Sequence, residues 1–298
     1  MIRFASTIPA LVCRAVVTAA AVAALAGCFS IPEAHLLEGQ GSHVEVQTTD
    51  SMCRAEFSEE GSYPAEHEST AGDGVIEFQL VNWNLYKGWK PGWEEDLERI
   101  IGDSDIVTLQ EMVLPADGSR ILQDRKWHWV FAPAFRYNGQ TAGVLTASST
   151  ASGRACMLRV VEPLLRLPKS VLITRHPFPS QGSSLWVVNV HSINFTPGTD
   201  RFRRQWDRLM EILASTEGPL IVAGDFNTWS QKRLDIVLRA TRRNGLAPVI
   251  FKKDARTTVF GHAVDHVFYR GLTPVEAVVY EVSSSDHHPM AVTFRWAP

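Results

Sequence analysis

Apolar residues along this chain fall into two rhythms. Val75-Ile76-Glu77-Phe78-Gln79-Leu80-Val81 alternates in part with period two, as a strand with one buried face should. Trp93, Leu97, Ile100 and Ile101 recur instead at helical spacing. Glu94, Glu95 and Asp96 fall in that helix's first turn, at its positive end. Residues 106–109 read as the next buried strand. Further strands are predicted at 143–146, 170–174, 185–190, 220–223, 264–269 and 290–294, and helices at 203–213 and 233–240. No fixed period repeats. This order predicts an α/β sandwich, with sheets packed face to face and helices outside.

The first 73 residues have a different texture. Arg3 and Arg14 make a basic start, an Ala/Val-rich run spans 15–26, and Leu25-Ala26-Gly27-Cys28 closes it. That is the layout of an export signal. The run falls short of the roughly 20 apolar residues a membrane span needs. The closing tetrapeptide resembles a bacterial lipobox. The resemblance implies cleavage of residues 1–27 as a lipoprotein signal peptide and acylation of Cys28. It implies a location in the bacterial cell envelope, membrane-anchored and facing the periplasm. A plain secretory signal or a buried Ala-rich helix are the other readings of the run. Phe29, rather than Asp, after the cysteine resembles outer-membrane sorting. Residues 28–73 read as an acidic linker and 74–298 as the folded domain. Cys13, Cys28, Cys53 and Cys156 lack CxxC spacing, which argues against a zinc knuckle. With Cys13 removed and Cys28 acylated, Cys53 and Cys156 remain, and an oxidising compartment would let them pair.

Polar clusters end or border the predicted strands. They are Asn82-Trp83-Asn84, Gln110-Glu111, Asn189 to Asn194 around His191, Gly224-Asp225-Phe226-Asn227, Asp265-His266 and Ser285-Asp286-His287-His288. Functional groups on loops held by a rigid scaffold are what an active site requires. Glu111, Asp225, Asp286 and Asn84 offer hard oxygen donors that suit Mg²⁺, Mn²⁺ or Ca²⁺. His191 and His287 can exchange protons near neutral pH. No Ser or Cys stands beside a base as a nucleophile, which favours attack by water with metal assistance. His266, inside a strand, reads as a packed histidine, and His288 as structural.

In their order, Trp83-Asn84, Gln110-Glu111, His191, Gly224-Asp225-Phe226-Asn227, Asp265 and Ser285-Asp286-His287 resemble the DNase I-like endonuclease/exonuclease/phosphatase superfamily. Residues 189–195, 223–230 and 267–272 look closest to its bacterial YafD-like branch. The resemblance covers about residues 75–295. It implies a four-layer sandwich of two packed mixed sheets flanked by helices, and a metal-dependent phosphoesterase using Mg²⁺ or Mn²⁺. It implies Glu111 as principal metal ligand, with Asn84 and Asp286 completing the site. Asp225 and Asn227 would orient water or phosphate. His287, oriented by Asp265, would be the general base, and His191 would donate to a phosphate oxygen. Lys169 falls where relatives often carry a phosphate-facing base. Relatives of the DNase I type give His191 a carboxylate partner, for which Glu162 is the candidate here.

Charge refines the substrate class. Residues 1–73 hold three Lys+Arg and ten Asp+Glu of the chain's 29 and 32, which leaves a net of +4 for the rest. A mildly basic body suits a phosphate-bearing substrate, either nucleic acid or a lipid head group. The basic run Lys232, Arg233, Arg239, Arg242, Arg243, Lys252, Lys253 and Arg256 reads as a phosphate-backbone contact or as a solvated helix face and loop. A catalytically silent, membrane-tethered binding lipoprotein on the same fold is the alternative function.

Overall fold

The computed structural model describes residues 29–32, 37–39, 45–47, 53, 75–114, 125–177 and 184–296. Residues 1–27, read as an export signal, and Cys28, read as the acylation site, lie outside them. Two mixed sheets carry the fold. The first contains β1 (Phe29–Ser30), β2 (Leu37–Gly39), β4 (Ile76–Asn84), β5 (Ile106–Leu114), β6 (His128–Tyr137), β7 (Gln140–Ser148), β16 (Thr273–Val279) and β17 (Met290–Trp296). Its order is β1-β6-β7-β5-β4-β17-β16, with β2 also on β6 and only β4 and β5 parallel. The second contains β3 (Glu45–Gln47), β8 (Arg154–Val161), β9 (Pro168–Pro177), β10 (Ser184–His191), β11 (Leu220–Asp225), β12 (Ala247–Pro248) and β15 (Asp265–Arg270). Its order is β12-β15-β11-β10-β9-β8-β3. A small hairpin, β13 (Thr258–Val259) and β14 (His262–Ala263), stands apart.

Strand alternation explains the layers. Leu80, Val292 and Phe294 point inward and meet Val187, Ile221 and Val267 of the other sheet. The alternate residues Val81, Trp83, Val107 and Leu109 face out, where Leu97, Ile100 and Ile101 of helix α1 (Trp93–Ile101) cover them. On the far side, helices α2 (Asp200–Leu213) and α3 (Gln231–Arg243) bury Trp206, Leu209, Ile236 and Val237 against Val188, Val190 and Val222. The result is the four-layer α/β sandwich expected.

Polar residues also join the sheets. Asn82 Oδ1 accepts from Thr108 Oγ1 and Gln110 Nε2, both at 2.9 Å. Gln110 Nε2 also donates to Asn189 Oδ1 at 2.7 Å, and Asn189 Nδ2 donates to Leu109 and Leu145 carbonyls at 3.1 and 2.8 Å. All are buried, so each bond is formed away from competing water.

The segment read as a linker does more than connect. β1 and β2 pair with β6, and β3 pairs with β8. Cys53 and Cys156 form a disulfide with Cα atoms 5.8 Å apart across 103 residues of chain. The segment lacks the long apolar period that marks strands in a sequence, because each pairing lasts only two or three residues.

His176 lies near the opposite end of β9 from the polar clusters, buried between Ser148 Oγ (3.3 Å) and Thr174 Oγ1 (2.9 Å). Burial pushes its pKa down to about 4, and burial with nearby Arg256 takes His266 down to about 3. An unfolded histidine binds its proton near pH 6.5. These two groups therefore contribute stability that is full above that value and lost as pH falls toward 4. We expect urea midpoints to decline from pH 7 to pH 5, with His176 supplying a slope approaching ~1.4 kcal/mol per pH unit. His176→Gln should flatten the decline by that share. An unchanged slope in the variant would remove His176 from the account.

Candidate active site

Strand register brings the polar clusters to one rim. His191 pairs with Asp225 across β10 and β11, and Asp225 pairs with Asp265 across β11 and β15. Gly224 makes this spacing possible. Its φ is 149°, and a Cβ there would lie 1.9 Å from the Val190 carbonyl oxygen. The chain then turns through Asn227, at φ 52°, whose N–H donates to Asp225 Oδ1 at 2.9 Å. Asn227 Nδ2 donates to the Ser192 carbonyl and to Asp225 Oδ2, at 3.0 and 3.2 Å. Asn84, at the end of β4, reaches across from the first sheet and donates to Asp225 Oδ2 at 3.1 Å. The loop before β17 is fixed to the same strand. Ser285 Oγ donates to the Asn84 carbonyl at 2.7 Å, and Trp83 Nε1 to the His287 carbonyl at 2.9 Å.

Glu111 is aimed by a bulge. The register of β5 against β7 shifts between Leu109 and Met112, and Glu111 takes φ 51°. A bulge re-aims a side chain, and a strained φ at a non-glycine residue is held only where surroundings enforce it. Here they are cationic. Lys87 forms an ion pair with Oε2, and Lys169 Nζ lies 3.5 Å from Oε1. Burial alone would raise the Glu111 pKa. The ammonium charges of Lys169 and Lys87 overcome it and hold the carboxyl at about 2. Lys87 was invisible in the sequence. It sits in a short turn, Tyr86–Gly88, with Tyr86 and Lys87 both at positive φ and no motif around it.

Lys169 and His191 work as a pair. Lys169 Nζ is 2.8 Å from His191 Nε2. Burial and the Lys169 charge push His191 well below the usual histidine range, so the ring is neutral and Nε2 accepts a hydrogen bond from the Lys169 ammonium. In this state Lys169 carries the charge expected of the phosphate-facing donor, and His191 holds it. Asp225 Oδ2 lies 3.4 Å from the same nitrogen. Glu162 is buried but accepts from the Asn194 N–H at 2.5 Å, shaping the loop after His191. The carboxylates beside His191 Nε2 are Asp225 and Glu111, at 3.4 and 3.7 Å.

His287 Nδ1 donates to Asp265 Oδ2 at 2.7 Å, the dyad expected. Burial opposes its charge, but Asp265, then Asp225 and Asp286, raise it to about 10. Burial raises Asp225 to about 6 against the pull of His287. Asp286 is exposed and its carbonyl accepts from Thr257 Oγ1 at 3.4 Å. His266 and His288 are structural, on Thr228 and Arg256 and on the Ala255 carbonyl respectively. Arg233 is no surface cation. It is fully buried and donates to the Ile193, Asn194 and Asn227 carbonyls and to Thr196 Oγ1, stapling both site loops.

The donors suit a hard divalent cation. Glu111 stays ionised under two ammonium groups, and Asp225 brings a second carboxylate to the same His191 nitrogen, while Asn84 turns Nδ2 to Asp225 and Oδ1 to the Tyr86 N–H and Asp286 stays exposed. Asp265, Asp225 and His287 also bring ligand atoms within 4.8 Å of one another, although the Asp265–His287 bond is better read as an orienting contact. A bound cation would supply Lewis-acid polarisation of a phosphoryl oxygen.

The chain is thus a four-layer sandwich with acidic, amide and imidazole groups gathered at one rim. The model of the Endonuclease/Exonuclease/phosphatase family matches residues 81–287, and the chain belongs to that family. Members of this superfamily are metal-dependent phosphoesterases and nucleases. Its relatives include UPF0294 protein VP2298 of Vibrio parahaemolyticus, 36% identical over 92% of this chain and 94% of its own. A UPF0294 protein of Yersinia pestis is 37% identical over 73% of this chain and 83% of its own. These relatives bear out the YafD-like resemblance. Among solved structures, an endonuclease/exonuclease/phosphatase from Beutenbergia cavernae superposes with TM-score 0.58 at 17% identity, over 74% of this chain and 72% of its own. The human Nocturnin catalytic domain with bound sulfate superposes with TM-score 0.57 at 20% identity, over 74% of this chain and 96% of its own.

Proposed function

We propose that the chain is a lipoprotein phosphoesterase of the cell envelope, anchored through Cys28 and facing the periplasm, that hydrolyses a phosphodiester or phosphomonoester with Mg²⁺ or Mn²⁺. The observation that carries the hydrolase reading is the convergence of Glu111, Asn84, Asp225, Asn227 and the Asp265–His287 dyad at one rim. Glu111, Asn84 and Asp286 would hold the metal. Asp225 and Asn227 orient water or phosphate. Lys169, seated on His191, offers a charged donor to a phosphate oxygen. The Cys53–Cys156 disulfide supports export, since such bonds persist in oxidising compartments.

His287 serves as base only when neutral, and its three carboxylate neighbours keep it protonated to about pH 10. Divalent charge neutralises such carboxylates and lowers the proton affinity of groups nearby. We therefore expect His287 to titrate near pH 10 by NMR without metal, and at least about one unit lower with saturating Mg²⁺. Asp265→Asn should lower the metal-free midpoint further, by about two units. A midpoint indifferent to both changes would deny His287 the role of base.

The reading is tested by a hydrolysis panel on chain 28–298 with Mg²⁺ or Mn²⁺. It includes bis-p-nitrophenyl phosphate, plasmid DNA, RNA, sphingomyelin and inositol phosphates, with His287→Ala as control. Turnover lost in the control supports a phosphoesterase, and the best substrate identifies its branch. A folded, metal-bound protein that turns over none of them favours the silent binding role.

A further inference from the structure

The catalytic rim carries large apolar side chains that stay exposed, Phe260 among them although its ring edge meets Trp229. Leu164 and Leu165, in the turn between β8 and β9, are 62% and 53% exposed. Phe195, four residues after His191, is 50% exposed, and Phe260, at the tip of the β13–β14 hairpin, is 85% exposed. All three loops open on the same end of the sandwich. The β8–β9 turn leads into Lys169, and Glu162 at its start bonds Asn194 beside Phe195. The β13–β14 hairpin leads into Asp265, and Thr228 Oγ1 donates to its Ala263 carbonyl at 2.7 Å. Isolated exposed apolar residues need no explanation, but several on neighbouring loop tips around one opening do.

Arginines stand among them. Arg136 and Arg166 are exposed at the β6–β7 and β8–β9 turns, and Arg201 and Arg204 line a groove with Val161 at the start of α2. Asp200 offsets one of these charges. Apolar tips ringed by long cationic side chains match a membrane interface with anionic head groups.

Topology adds a second, independent argument. Phe29 pairs with Tyr137 at the end of β6, and Tyr137 pairs with Gln140 across the β6–β7 turn. Thr141 then pairs with Leu114, three residues past Glu111 in β5. Phe29, where the described strand begins, therefore stands at the catalytic end, three strand spacings or about 15 Å sideways from Glu111 and about 10 Å beyond it along the strands. Cys28 precedes Phe29 directly. An acyl anchor there leaves no free linker between bilayer and rim. Leu167, in the β8–β9 turn, and Tyr137 both pack against the cluster of Ala134, Phe135 and Ala142, so the leucine tip and the start of β1 share one patch of the rim.

We infer that the catalytic rim lies against the membrane, with Leu164, Leu165, Phe195 and Phe260 entering the lipid interface, so that the substrate is a phosphoester of a bilayer-embedded lipid. This rests on the lipobox reading of Cys28 and, for the substrate, on the hydrolase reading. Leucines favour lipid over nucleic acid, because bases stack on aromatic faces and gain nothing comparable from aliphatic tips.

The test uses the mature chain with Cys28→Ser, so that no acyl group masks the protein's own affinity. Its partition onto phosphatidylcholine–phosphatidylglycerol vesicles is measured by flotation. Beside it, turnover of vesicle phospholipid is compared with the matching water-soluble glycerophosphodiester. Leu164→Ser/Leu165→Ser/Phe195→Ser should cut vesicle partition at least about tenfold, since three apolar side chains no longer enter the interface. It should also lower the ratio of vesicle to soluble turnover. Leu165→Trp should bind more tightly, which guards against reading misfolding as lost affinity. Equal vesicle binding in all three proteins, or none in the parent, overturns the inference. Single-stranded DNA retained in place of vesicles overturns it in favour of nucleic acid. Vesicle binding that follows the variants, with no turnover of either ester, keeps the membrane-facing rim and refutes only the hydrolase reading.

Discussion

Glu111→Gln should lower turnover by about three orders of magnitude or more, roughly 4 kcal/mol of transition-state stabilisation at ~1.4 kcal/mol per decade. The amide keeps the shape of the carboxylate and removes its charge. Lys87 and Lys169, which now face that charge from two sides, would then stand unopposed in the site. A divalent cation would meet two ammonium groups and a neutral ligand, so Mn²⁺ affinity by calorimetry should fall beyond detection. The fold should survive, because the bulge that presents Glu111 is held by backbone pairing to β7. Turnover within about tenfold of the parent would place the metal elsewhere.

Gly224→Ala should cost more stability than a methyl added at any other described glycine, above about 4 kcal/mol, the range of severe core damage. The added Cβ meets the Val190 oxygen at 1.9 Å and its carbonyl carbon and nitrogen at 2.8 Å, all backbone atoms of the neighbouring strand. Rotamer changes cannot relieve that clash, and φ 149° disfavours a side chain besides. The strands carrying His191 and Asp225 must part. Gly198→Ala is the matched control. Its φ is +67°, but nothing lies within 4 Å of the new Cβ, so only about 1 kcal/mol of backbone strain is expected. Equal unfolding midpoints for the two variants would show that β10 and β11 separate at little cost.

Much of the scaffold was legible because burial writes itself into sequence. Helix α1 matches the predicted span 93–101, since its apolar stripe faces a sheet and its other side faces water. The strands β4, β10, β11, β15 and β17 were marked by apolar runs of the right length. β6 escaped because it carries Pro133 in its middle, tolerated at a register shift opposite Gly143. β16 escaped because its residues are exposed or only half-buried and carry no alternation to read. In the site, motif residues at strand ends could be found, since regular strands fix where their ends fall. Lys87 could not, because its reach to Glu111 depends on a left-handed turn that nothing nearby in sequence specifies. Arg233 misled for the opposite reason. A run of basic residues looks uniform along the chain, while one helix position in it faces inward.

The short N-terminal strands have a consequence for the order of events in biogenesis. β1, β2 and β3 are made first, yet their partners β6 and β8 emerge some hundred residues later, as the 103-residue separation of Cys53 and Cys156 marks. The beginning of the chain must wait, already at the bilayer if Cys28 is acylated, while the rest assembles. Until it docks, β6 and β8 present open backbone at the outer edges of both sheets, the kind of surface on which other chains nucleate. A version trimmed to residue 74 would keep every catalytic group and lose its own edge protection, so its characteristic failure would be strand-to-strand aggregation before any loss of chemistry.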